Sequence, residues 1–128
     1  MKLLPSQTDV ASLSAFGEEA RALLMERNYS GLADRFGYAL AYGRPLSEAI
    51  EADFLRAAAS PYKTVTGDQP ITIKYYGPNK IGGTGLFAVV ECNVPVADGA
   101  VICLDLVVFG HGEEKYITLE DVYGENPT

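Results

Sequence analysis

The chain has no tryptophan, one histidine, two cysteines and only ten basic residues against seventeen acidic ones. Each scarcity removes a class of function. A lone histidine, His111, excludes a multi-histidine metal site. Its place between Gly110 and Gly112 is that of a hairpin tip, with no partner to orient a catalytic ring. Cys92 and Cys103 belong to neither a CxxC pair nor a disulfide framework, and their apolar strand neighbours mark them as packed thiols rather than nucleophiles. The net charge of −7 repels phosphate backbones and anionic lipid, so no nucleic-acid or membrane partner is expected, while a basic partner is compatible with it. No apolar run approaches the roughly 20 residues of a membrane span, and Met1 to Pro5 is too short for a signal peptide's apolar region. The expected setting is cytoplasmic, and no cofactor or metal motif is present.

What is there is a single domain's worth of chain, 128 residues at 48% hydrophobic content. Apolar residues recur at helical spacing at Val10, Leu13, Phe16, Ala20, Leu23 and Leu24, after Thr8 or Asp9 as cap. Asn28 or Ser30 starts a second helix carrying Leu32, Ala33, Phe36 and Leu40 on one stripe and ending at Gly43-Arg44-Pro45. A third begins near Ser47, with Ile50, Phe54, Leu55 and Ala58 as its apolar face, and fades at Ser60-Pro61. Period-two alternation then marks a strand from Ile71 to Tyr75, and β-branched and aromatic residues mark three more: Leu86–Val96, Ala100–Phe109 and Glu114–Tyr123. The expected fold is α+β, with three N-terminal helices on one face of an antiparallel sheet of about four strands.

Between the first two strands, Gly77 to Thr84 nearly matches a phosphate loop. Gly83 stands where the lysine is required, and a strand rather than a helix follows, so the loop is a connection. The overlapping Gly83 to Ala88 imitates a dinucleotide fingerprint and fails for the same reason.

The turns predict a sheet register. If Asp98-Gly99 and His111-Gly112 are two-residue hairpin turns, Cys92 lies opposite Asp105 and Leu106 opposite Ile117. The helix-facing side then holds Phe87, Val89, Glu91, Leu104, Leu106, Val108, Ile117 and Leu119. Cys92, Cys103, Asp105, Tyr116, Thr118 and Glu120 face away. Glu91 and Asn93 point inward on this reading, where a desolvated Glu91 is the candidate general base. Its structural alternative is an ion pair with Arg35, Arg44 or Lys74. Tyr38, Tyr42, Tyr62, Tyr75 and Tyr76 cluster between the second helix and the first strand, with hydroxyls able to line a pocket or polarise a carbonyl oxygen.

The stretch Arg27 to Phe36, then Pro45-Leu46-Ser47, then the C-terminal hairpins ending Tyr116 to Val122, resembles the NTF2-like superfamily of cystatin-like α+β cones. The resemblance covers most of the chain through diffuse motifs. It implies helices wrapped over a curved sheet, with a pocket at the open end, in a family that spans isomerases, hydrolases and non-catalytic binding modules. Three helices precede any clear strand here, whereas members commonly insert a strand or hairpin before the third. The favoured reading is a non-catalytic domain that binds a small apolar or amphipathic ligand, or a protein partner, through Tyr38, Tyr42, Tyr75 and Asn93. One alternative is a ketosteroid-isomerase-like or SnoaL-like isomerase or lyase, with Glu91 as catalytic base and Tyr75 or Tyr38 as oxyanion donor. A third is an acidic inhibitor or immunity-type protein-interaction domain. Val101, Cys103 and Val107 would leave the outer sheet face apolar, which suggests a homodimer through the sheet.

Overall fold

The computed structural model describes residues 1–59, 62–63, 71–76, 85–95, 100–111 and 114–124. Three helices, α1 (Val10–Met25), α2 (Tyr29–Phe36) and α3 (Leu46–Ala59), pack on one face of an antiparallel sheet, which makes the chain α+β. The strands are β1 (Lys2–Leu3), β2 (Tyr62–Lys63), β3 (Ile71–Tyr75), β4 (Leu86–Pro95), β5 (Ala100–His111) and β6 (Glu114–Tyr123). Five of them run in the order β1-β6-β5-β4-β3, one more than expected, because the first residues of the chain pair with β6. The two-residue β2 joins β5 at Ala100 and Val101, just past the last β6 partner at Cys103.

The helices follow their apolar spacing with two departures. In α1, Leu13, Phe16, Gly17, Ala20 and Leu24 form the buried stripe. The Asn28 side chain caps α2 by accepting from the Gly31 amide at 2.9 Å. That helix ends at Phe36, earlier than the expected Gly43, because Gly37 takes a positive φ of 73° and breaks the ladder. Ala39–Ala41 forms a separate short 3-10 turn. In α3 the buried residues are Ala49, Ile50, Asp53, Phe54 and Ala57, while Leu55, expected inside, is 57% exposed.

Sheet register decides which side chains meet the helices. The observed β4–β5 pairing sets Glu91 opposite Asp105 and Cys92 opposite Leu104, one residue from the expected register. Ala88, Val90, Cys92 and Val94 therefore face the helices, and Val89, Glu91 and Asn93 face away. Asp98-Gly99, expected as a two-residue turn, lies outside the described residues. In β5 and β6 the expected faces hold, with Leu104, Leu106, Val108, Ile117 and Leu119 buried. The pairing beneath them differs, since His111 pairs with Glu114 and Ile117 with Val108. A bulge then leaves Glu120 unmatched, so that burial passes from Leu119 to Val122 instead of to Asp121.

A continuous cluster of buried side chains fills the space between helices and sheet, with Phe16, Phe36, Ile50 and Phe54 above and Val90, Leu104, Leu106 and Ile117 below. Each such side chain contributes roughly 1.5–3 kcal/mol on burial. On the opposite sheet face, Val101 and Cys103 are also buried, at 1% and 8% exposure, within this single chain. Of the three residues from which a covering second copy was expected, these two are thus already covered, and Val107 is half-buried.

Candidate functional site

The register carries the sequence-predicted site residues apart. Glu91 lies on the face opposite the helices and pairs with Lys74 at 3.2 Å, the structural alternative in kind. Asn93 shares that face, 3.9 Å from the Cys103 thiol, which points at its Oδ1. Tyr75 donates its hydroxyl to the Thr8 carbonyl at 2.8 Å and sets its ring edge-on to Phe87. Tyr42 is 81% exposed. Tyr38 alone is buried among the helices. A sheet thus separates Glu91 from Tyr38, and the two cannot act on one substrate atom. Cys92 is buried against Gly17, and burial pushes its thiol up to about 12, far from a nucleophile's range.

Two polar constellations stand out instead. The first is centred on Asp53, the buried charge of α3. The Tyr38 hydroxyl donates to its Oδ2 at 2.5 Å, Arg44 makes a two-pronged contact at 3.2 Å to each oxygen, and Arg56 donates to Oδ1 at 2.8 Å. Arg44 also donates to the Ala41 and Leu40 carbonyls, both at 2.8 Å, which ties the 3-10 turn to α3. Burial works against the charged form of Asp53. The hydrogen bonds from Arg44 and Tyr38 and the two guanidinium charges outweigh it, so the carboxyl sits below its usual range. Burial, together with the Asp53 carboxylate, pushes the Tyr38 phenol well up. Beside this hub a cleft of about 430 Å³ opens, lined by Leu40, Asp53, Arg56, Ala57, Asp121, Val122, Tyr123 and Gly124.

The second lies on the sheet face away from the helices. Glu91 on β4 is directly opposite Asp105 on β5, which is directly opposite Asp121 on β6. Like charges in opposed positions destabilise a sheet. Burial pushes the Asp105 carboxyl up to about 6; the Tyr123 hydroxyl opposes this, and Glu91, Asp121 and Glu120 add to it. Its Oδ1 is buried without a hydrogen-bond partner. Burial also raises Asp121, with Asp53 adding. A shallow cleft of about 160 Å³ runs along this face past Thr72, Glu91, Asn93, Asp105 and Tyr123.

Among the described residues, no group of three or more His, Cys, Asp or Glu side chains is placed to hold a metal ion, and no helix is long and apolar enough to cross a membrane. Comparison with protein-family models, with curated proteins and with solved structures returns no match.

Sequence reading missed Asp53 and Arg56; it placed Asp105 on the face away from the helices, where it lies, as solvated or at a subunit contact, whereas its Oδ1 is buried within the chain. One signal was present: Asp53 falls at the i+3 position from Ile50 and next to Phe54, inside the apolar stripe of α3, where an acid requires a partner. The row across the strands had no such signal, because it depends on a register that shifts with one residue of loop.

Proposed function

We propose that the chain is a non-catalytic binding domain of NTF2-like architecture that takes a basic protein segment on the sheet face opposite its helices. The observation that supports this reading is the row Glu91, Asp105 and Asp121, opposed in backbone register across three adjacent strands; Glu91 and Asp105 line the cleft on this face, and Asp121 stands at its edge toward α3. Lys74 pairs with this row through Glu91, and its side chain is 55% exposed. A partner's lysine or arginine would relieve the repulsion and satisfy the buried Asp105 oxygen. A second copy of the chain is disfavoured as occupant, since face-to-face docking would oppose two acidic rows. The isomerase reading loses the Glu91–Tyr38 pair of base and oxyanion donor. Glu91 and Tyr38 lie on opposite sides of the sheet, and Asp53, held charged by two arginines, is far from the near-neutral range a general base needs.

The test is fluorescence anisotropy with a labelled hexalysine peptide at low salt, using two variants of equal net charge. One carries Glu91→Gln, Asp105→Asn and Asp121→Asn; the other carries Glu18→Gln, Glu26→Gln and Glu48→Gln on the helices. The row variant is expected to lose at least about tenfold in affinity, or ~1.4 kcal/mol, and the helix variant far less. Equal losses would reduce the effect to overall charge and defeat the proposal. A dimer in light scattering that strengthens with salt and is broken by Val107→Glu would transfer the face to a second copy.

A further inference from the structure

The cleft between α3, the 39–41 turn and the end of β6 is bordered by two opposite charges that do not meet. Leu40, Ala57 and Val122 supply apolar wall, Asp53 lies at the inner end, and Arg56, Asp121 and Tyr123 supply polar groups. Its volume, about 430 Å³, falls within the range of small-molecule sites.

Asp53 offers little to a ligand because Arg44 already spans both its oxygens and Tyr38 adds a third bond. Arg56 differs from Arg44 in that its side chain is 77% exposed and spends one donor on Asp53. A guanidinium carries five N–H donors, so a further acceptor can be held without giving up that bond. Across the cleft, Asp121 forms no ion pair among the described residues. Arg56 and Asp121 are close enough for the guanidinium to favour the charged carboxylate, yet no salt bridge joins them. Opposite charges that border one cleft without pairing are complementary to a molecule that carries both charges itself.

We propose that this cleft binds a free α-amino acid with a medium-sized apolar side chain, its carboxylate on Arg56 and its ammonium on Asp121. The side chain lies against Leu40, Ala57 and Val122. A simple anion is disfavoured here because it meets Asp121 and Asp53, and a simple amine because it meets Arg56. The site does not depend on the sheet-face reading. Asp121 borders both, but Arg56 belongs to the cleft alone.

The experiment is an amide NMR titration of the full chain with L-leucine, with 3-methylbutylamine and 4-methylpentanoate as half-ligands that each lack one charge. L-Leucine is expected to shift the amides of Arg56, Ala57 and residues 121–124 saturably, and each half-ligand to bind at least about tenfold more weakly. Arg56→Gln should weaken L-leucine by a similar factor without weakening hexalysine binding, because Arg44 still holds Asp53 and the acidic row is untouched. Asp121→Asn should weaken L-leucine comparably and serves as a second, independent variant. Absence of saturable shifts up to about 20 mM, or half-ligands that bind as well as L-leucine, would overturn the proposal.

Discussion

Asp53 and Asp105 are two acids removed from water with opposite outcomes. Asp53 has a partner for every strong acceptor direction and stays ionised, whereas Asp105 has a buried oxygen with none and is pushed up to about 6. Truncating Asp53 leaves two guanidiniums and a buried phenol without their acceptor, so Asp53→Ala is expected to cost about 2–4 kcal/mol in urea denaturation. Tyr38→Phe removes one hydrogen bond to a charged group and should cost about 1.5–3 kcal/mol. Asp105 behaves in the reverse sense. Its folded-state carboxyl is raised above the unfolded value near 4, so between about 4 and 6 the native state holds a proton that the unfolded chain has released. Stability therefore rises as pH falls through 6, and at pH 7 the buried charge is a burden. Asp105→Asn should stabilise at pH 7 by about 1 kcal/mol, after discounting for partial exposure, and should flatten the melting temperature between pH 4 and 6. A variant less stable than the parent at pH 7 would show that Asp105 has a cation the structure does not record. Asp53 was legible in the sequence as an acid within an apolar stripe; Asp105 was not, because its burial depends on neighbours from other strands.

At the scale of elements, sequence periodicity located α1, α3 and the four long strands, since each carries its own hydrophobic pattern. The errors fell at turns. Gly37 ended α2 ahead of Gly43 because a single positive φ suffices to break a helix, and periodicity does not choose between two glycines. One residue of slip between β4 and β5 turned Glu91 and Asn93 outward and Cys92 inward. The inward face then meets α1 at Gly17, where an added Cβ would lie 3.0 Å from Val90 Cγ1 and 3.1 Å from both Cys92 Sγ and Ile71 Cγ2. Alanine at that position gains up to about 1 kcal/mol of helix propensity. Three strand side chains must yield together to admit it, and overpacking of this kind costs about 1–3 kcal/mol. Gly17→Ala is thus expected to lower stability, and Gly17→Val to lower it further. A stabilised Gly17→Ala protein would mean that α1 rides freely on the sheet. The bulge at Glu120 offers the opposite case. Deleting that residue leaves Leu119, Asp121 and Val122 opposite Leu106, Asp105 and Leu104 in a regular ladder, with the same residues inside. Such a deletion should fold, whereas deletion of Thr118 should not, because it would turn Ile117 outward or Leu119 away from the core. Circular dichroism and thermal melts distinguish the two.

For the whole molecule, class and charge were legible early because both are sums over many residues and survive local errors of register. The site was not, since it arises where β4, β5, β6 and α3 converge, and no single segment encodes that meeting. The same convergence sets how stability depends on pH. Asp105 and Asp121 have raised carboxyls, so each adds stability as pH falls from 7 toward their unfolded values near 4. Asp53 has a depressed carboxyl; its contribution is present above about 4 and is lost as pH falls further. The two trends meet on the acid side of neutrality, and the melting temperature should peak near about pH 5 rather than at 7. Net charge acts in the same direction, since the excess of acids that gives −7 at neutrality shrinks as carboxylates take up protons. Added salt separates the contributions. At pH 7, about 0.5 M sodium chloride should raise the melting temperature by screening the acidic row, while at pH 5 it should have a smaller effect. In the Glu91→Gln, Asp105→Asn, Asp121→Asn variant the salt response at pH 7 should fall to the level seen at pH 5. A parent protein whose melting temperature climbs steadily from pH 5 to 8 would place the dominant ionisation outside the row.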